Sequence, residues 1–167
     1  VTDDQRWDAT GFMQERMSSL GRIPRFPWME NNTPNLDRLS EEGTHFDNGY
    51  GVYSLCSPAR ATMLTGQYPH KHGITNNQSD FPSNVVTYAN LLQDAGYTTG
   101  YFGKWHMGTQ DDRPGFDHVR TFYGQGKYFG TVFNDKDGNP VGANASNFNP
   151  QSAQSIVINI TGLPSSG

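Results

Sequence analysis

The apolar positions of this chain fall into short patterned runs divided by glycine and proline. Thr33-Pro34 opens the first clear helix: Thr33 suits an N-cap, Pro34 the first turn and Gly43 the residue after the end. Leu36 and Leu39 would then turn toward the core. Residues 45–53, HFDNGYGVY, set Phe46, Tyr50 and Val52 at even spacing, the pattern of a half-buried strand. Ser57-Pro58 opens a second helix, with Ser57 as N-cap, that stops at Gly66. Over residues 85–95, Tyr88, Leu91, Leu92 and Ala95 recur at helical spacing, and Gly96 ends the run. Residues 97–102, YTTGYF, read as a strand leading into GKWHMG. Val1-Thr2 read as the end of a strand, and residues 8–32, without a clean period, as a long surface loop. The alternation of strand and helix signals predicts α/β layering around a parallel sheet. From about residue 124 onward the chain is rich in Gly, Asn and Ser, so we divide it into 1–125 and a tail, 126–167, of uncertain structure.

Composition narrows the function classes. Counted with Gly and without Tyr, the apolar share is about 40%, under the usual ~45–50% of a globular chain, which suggests a loop-rich chain or part of something larger. The net charge of −4 comes with no basic run, which argues against a nucleic-acid partner. No stretch is long and apolar enough for a membrane span. The sole cysteine, Cys56, can form neither an internal disulfide nor a cysteine-based zinc site.

That cysteine lies in YSLCSPARATMLTG, residues 53–66. With Ser57 capping and Pro58 in the first turn, Cys56 would sit just before a helix N-terminus, where backbone N–H groups and the macrodipole favour negative charge. Arg60 would lie one turn on, near the Cys56 side chain. A reactive side chain, a fixed cation and an anion-binding helix end would thus meet. On spacing alone, a buried structural cysteine is the commoner outcome for a lone thiol.

The motifs themselves resemble those of a known family. SLCSPARATMLTG, residues 54–66, resembles the sulfatase signature around Cys-x-Pro-x-Arg, and GYTTGYFGKWH, residues 96–106, resembles the family's second motif. Asp3-Asp4 resembles the acidic pair at the end of the family's first strand, and TPNLDRLSEEGTHFDNGY, residues 33–50, resembles the helix and strand between. The resemblance covers residues 1 to about 125. It implies an alkaline phosphatase-like α/β sandwich with a central, mostly parallel sheet, of which this chain would be an incomplete N-terminal part.

The resemblance also assigns chemistry. In sulfatases a maturation enzyme oxidises the motif cysteine to formylglycine, whose hydrate attacks sulfur with one hydroxyl and expels sulfate with the other. Cys56 is then the precursor of the nucleophile. Arg60 resembles the arginine that holds the formylglycine, Lys104 the lysine that contacts it and the sulfate, and His106 the histidine that orients or deprotonates it. Asp3 and Asp4, with residue 56 itself, resemble ligands of a divalent cation, Ca2+ or less often Mg2+. Lys104 and His106 lie two apart, so an extended segment would point both to one side. The partners implied are a sulfated small molecule or glycan and the maturation enzyme; the compartments implied are periplasmic, secreted or lysosomal. Aromatic residues around Trp105 and at 123–128 leave sugar and aryl sulfates both open.

Several residues fall outside this reading. His70 and His72 in PHKHG are taken as loop residues, Asp111-Asp112 as an exposed turn, and Asn144 and Asn159 open chance-frequency glycosylation sequons. The family's second pair of metal ligands, leaving-group acid and second sulfate-binding lysine find no match, and residues 141–167 do not resemble what should follow. The isolated chain is therefore expected to be inactive. The alternatives are a catalytically incompetent fragment or scaffold-only binding protein, and a phosphoryl-ester hydrolase of the same superfamily.

Overall fold

The computed structural model describes residues 5–29, 32–108, 113–127 and 131–141. The chain divides into two units, Thr2–Tyr50 and, with Val1, Gly51–Gly167, and each is taken by itself. Asp3, Asp4, Asp111, Asp112, Asn144 and Asn159 lie outside the described residues, as do residues 142–167.

The first unit holds α1 (Gly11–Ser19), a 3-10 turn (Pro27–Met29) and α2 (Pro34–Glu42). The loop expected over 8–32 thus contains a helix. Its support is not local. The N–H of Gly11 donates to Thr33 Oγ1 (2.9 Å) and that of Phe12 to Asp37 Oδ1 (3.0 Å), so side chains of another helix satisfy the orphan donors of α1. A Cβ on Gly11 would lie 2.4 Å from Asp37 Oδ2, so a larger residue would push this carboxylate out of place. Gln14, fully buried, donates to the carbonyl of Asp8 (2.7 Å) and accepts from the N–H of Phe26 (2.9 Å), tying both flanks of the helix to its middle.

α2 begins and ends where the sequence predicts, at Thr33 and Gly43. Leu36 and Leu39 do not turn into a core, however; both are exposed. No strand forms over 45–53, where Phe46 and Tyr50 are 78% and 87% exposed. Asp47, Asn48 and Gly49 favour a turn over a strand. Arg16 pairs with Asp47 at 2.8 Å and fixes that turn beside α1.

The second unit holds α3 (Cys56–Thr65), α4 (Pro69–His72), α5 (Tyr88–Asp94) and a sheet of β1 (Gly100–Lys104), β2 (His118–Phe122), β3 (Phe133–Asn134) and β4 (Pro140–Val141). The strand order is β1-β2-β3-β4. β1 and β2 are parallel, with Gly100 opposite His118 and Lys104 opposite Phe122; β3 and β4 add antiparallel. The sheet is mixed rather than purely parallel, because residues 131–141 return as a hairpin.

α5 is shorter than residues 85–95. Thr87 and Asn90 form a reciprocal capping box that sets its start. At its end the N–H of Gly96 reaches the carbonyl of Gln93 and that of Tyr97 the carbonyl of Leu92, a Schellman arrangement that needs the left-handed Gly96 (φ 85°). The buried residue is Ala89, while Leu91 and Ala95 are exposed. Gly115 sets that face: a Cβ there would stand 2.5 Å from the Asn90 nitrogen. Because Tyr97 belongs to the helix stop, the strand starts at Gly100, later than expected.

The core gathers Ala61 and Leu64 of α3, Ala89 of α5, Tyr101, Trp105, Met107 and Val119 with Ile74, Phe81 and Phe116. Tyr101 packs edge-on against Trp105 (5.1 Å) and Phe116 (5.2 Å), and the Arg113 guanidinium covers the Trp105 ring at 4.9 Å. His72 is buried on the short α4 rather than lying in a loop. Its Nδ1 accepts from the N–H of Ile74, so Nε2 carries the proton toward Thr62 Oγ1. Burial, and then the charge of His70, hold its pKa below the ordinary value.

The start of β1 is joined to β2 through Asp117. Its carboxylate accepts from the N–H of Thr99 (2.8 Å) and from Gln93 Nε2 (2.7 Å). The Thr99 N–H holds the carboxyl below the ordinary carboxylate range, against a smaller opposing effect of burial. A depressed folded pKa means stability that is present at neutral pH and lost as acid protonates the folded carboxylate. Asp117→Ala is therefore expected to destabilise by about 1 kcal/mol at pH 7, the figure for hydrogen bonds to a partly exposed charge. The difference should shrink as the pH falls below about 4, which paired urea titrations would show.

Candidate active site

Cys56 is the first residue of α3, and the residue before it, Leu55, is extended (φ −138°, ψ 143°). The helix thus starts ahead of the expected Ser57 cap. The reason is that Ser57 is occupied elsewhere: its hydroxyl donates to the carbonyl of His106, and it is fully buried. Its N–H donates to Asn77 Oδ1 at 3.0 Å. Pro58 has no N–H to offer. The N-terminus of α3 therefore presents fewer donors to an anion than a generic helix end would.

What stands against the cysteine instead is a cation. Lys104 Nζ lies 3.4 Å from Cys56 Sγ. Lys104 is the last residue of β1 and only 3% exposed. Its ammonium also donates to Gln125 Oε1. Its carbonyl accepts from the Tyr101 hydroxyl (2.6 Å) and from Arg60 Nη1. Arg60, one helical turn beyond Cys56, also reaches the Tyr101 oxygen at 3.3 Å. Arg60 thus meets the second motif through the backbone of Lys104. No acidic residue lies in the first turn of α3.

β1 ends at Lys104, and His106 has a left-handed backbone (φ 55°), alone in this among described non-glycine residues. The two-residue alternation that would point Lys104 and His106 to one side therefore does not hold. His106 is brought to the start of α3 by its carbonyl, through Ser57. Trp105 between them is buried; its indole donates to the carbonyl of Met107 (3.0 Å) and anchors the turn. Of the residues singled out in the sequence, the structure joins Cys56, Arg60 and Lys104, with His106 next to them along the chain. Tyr101, Ser57, Asn77 and Gln125 were missed. The glycines flanking Gln125 were the available signal.

A sulfatase family model matches residues 1–147. The chain belongs to the sulfatase family. It is 44% identical over 104 residues to the N-acetylglucosamine-6-O-sulfatase of Bacteroides thetaiotaomicron, covering 60% of this chain and 18% of that one. It is 34% identical over 143 residues to the steryl-sulfatase of Rattus norvegicus, covering 78% of this chain and 25% of the relative. A solved structure of a protein in complex with its substrate D-glucosamine-2-N,6-O-disulfate superposes with a TM-score of 0.61 at 39% identity, over 77% of this chain and 25% of the other. This sulfatase chain spans about a fifth to a quarter of the length of these curated relatives (18% and 25%), and its fold is that of the alkaline phosphatase-like sulfatases.

Among the described residues, a donor meets the side chain of residue 56, which fits a hydroxyl there. No group of three or more His, Cys, Asp or Glu that could hold a metal occurs among the described residues, so they furnish no shell for a divalent ion. No helix among them is long and apolar enough to cross a membrane.

The Tyr101 hydroxyl fixes the carbonyl end of Lys104. Tyr101→Phe is expected to lower stability by about 1 kcal/mol, more if the freed acceptor stays dry. Chemical denaturation measures it; a variant as stable as the parent would show that Arg60 alone holds the carbonyl.

Proposed function

We propose that the whole protein hydrolyses sulfate esters, R–O–SO3− + H2O giving ROH and bisulfate, with residue 56 as nucleophile. The observation that carries this is the Lys104 ammonium 3.4 Å from Cys56 Sγ at the first position of α3, in a chain that belongs to the sulfatase family. Converted to formylglycine and hydrated, residue 56 would supply one hydroxyl to attack sulfur and a second to release sulfate. Lys104 places a full positive charge beside that residue and beside the sulfate oxygens that approach it. Arg60 holds the Lys104 backbone and so fixes where the ammonium starts. His106 takes the part of the base, its main chain pinned to the helix that bears the nucleophile.

Asp3 and Asp4 are the proposed ligands of a Ca2+ or Mg2+ ion, on the family resemblance. A calcium ion takes roughly six to eight oxygens, so two aspartates fill only part of its shell, and the isolated 167-residue chain is expected to be inactive. The partner that converts Cys56 is a maturation enzyme reading the 54–66 motif. For the substrate, a sulfated sugar is favoured over an aryl sulfate. The 44%-identical relative is named for an N-acetylglucosamine 6-O-sulfate, and the solved neighbour holds a 6-O-sulfated glucosamine.

Two measurements on the full-length protein, produced with a maturation enzyme, test this. Cys56→Ala should abolish sulfate release from glucosamine 6-sulfate while leaving the thermal transition in place; undiminished turnover by this variant sinks the assignment. Lys104→Ala and His106→Ala should each lower kcat by about a hundredfold or more, the scale for a lost charge stabiliser or acid–base group. A loss confined to KM would mean that the two residues only bind.

A further inference from the structure

We propose that Gln125 is a positioning residue for Lys104: its amide oxygen holds the ammonium against residue 56 without neutralising it. The inference rests on the sulfatase reading above and deepens it by one residue. Lysine is a point charge on a flexible four-carbon stem, so fixing its backbone does not fix its charge. The Lys104 carbonyl is held by Tyr101 and Arg60, but Nζ needs acceptors of its own. Among the described residues, Cys56 Sγ and Gln125 Oε1 accept from it. An ammonium can only donate, so the oxygen of the amide is the atom that faces it.

The choice of glutamine matters because the acceptor is neutral. A carboxylate at this place would form an ion pair with Lys104 and cancel the field that an incoming sulfate ester meets. An amide orients the same ammonium and leaves its charge whole. The chain is shaped to deliver this amide. Gln125 stands between Gly124 (φ 60°) and Gly126 (φ 72°), two left-handed positions that favour glycine. At Gly126 a Cβ would meet the Phe122 ring at 2.6 Å. Phe122 is buried, packs edge-on against Phe133 at 5.5 Å, and is the sheet partner of Lys104. The turn bearing Gln125 is therefore built directly off the residue beside Lys104. Gln125 itself is exposed, so it fills no core space that would explain its aim.

The test uses the full-length, matured protein with Gln125→Ala and Gln125→Glu. Mass spectrometry first verifies equal conversion of Cys56 in all three. Gln125→Ala is expected to lower kcat about tenfold, and the near-isosteric Gln125→Glu about a hundredfold, each with KM within about threefold and an unchanged thermal transition. A residue that served packing alone would give the reverse order, because glutamate keeps the shape and alanine does not. Alanine worse than glutamate, or both within twofold of the parent, overturns the proposal. Proton exchange of the Lys104 ammonium, followed by 1H–15N spectroscopy, should quicken at least about tenfold in Gln125→Ala. That readout needs no turnover, so equal exchange rates refute the role of Gln125 whatever the activity, whereas a parent that releases no sulfate refutes the enzymatic reading instead.

Discussion

The carbonyl of Lys104 accepts from Tyr101 and Arg60 while its ammonium, at the far end of the same residue, contacts Cys56 and Gln125. Both ends of one buried lysine are thus tied down, and three separate elements meet on it. α3 contributes Cys56 and Arg60, β1 contributes Tyr101, and the turn after β2 contributes Gln125. A buried ammonium is expensive unless it is hydrogen-bonded. Here the bonds that satisfy it are the ones that assemble the site. The aromatic cluster of Tyr101, Trp105 and Phe116 holds the strand that brings the lysine in.

The helix N-terminus and the Lys104 ammonium both place positive potential at residue 56, and their sizes differ. A helix N-terminus is worth about half a charge, spread over its free N–H groups. In α3, proline removes one donor and Asn77 occupies another. Lys104 carries a whole charge at 3.4 Å and little water around its stem. The lysine is therefore the stronger of these two at residue 56, and the helix mainly sets direction. The same reasoning gives the left-handed His106 its place, since that turn brings its carbonyl to Ser57 and docks the second motif on the first.

Local signals carried much of the chemistry. Cys56, Arg60 and Lys104, singled out by their motifs, are in contact, and Gly43, Gly66 and Gly96 mark helix ends because glycine acts through its own backbone. Where the outcome depended on distant partners, the reading failed. α1 is supported by Thr33 and Asp37 from another helix, which no period within 8–32 reveals. The alternation at 45–53 is real, but its apolar residues remain exposed around a turn held by Arg16. The extended geometry invoked for Lys104 and His106 ends at Lys104, because the backbone of His106 is left-handed. Gln125 acts only through a long-range contact with a residue twenty-one positions earlier.

The central claim is that Cys56 is the precursor of a nucleophile and not a structural thiol. The most direct test is the mass of the tryptic peptide that contains it, from full-length protein produced beside a maturation enzyme. Conversion to formylglycine exchanges sulfur for oxygen with loss of two hydrogens, so the account predicts a peptide lighter by about 18 Da. A peptide of unaltered mass from a preparation that hydrolyses sulfate esters would contradict it.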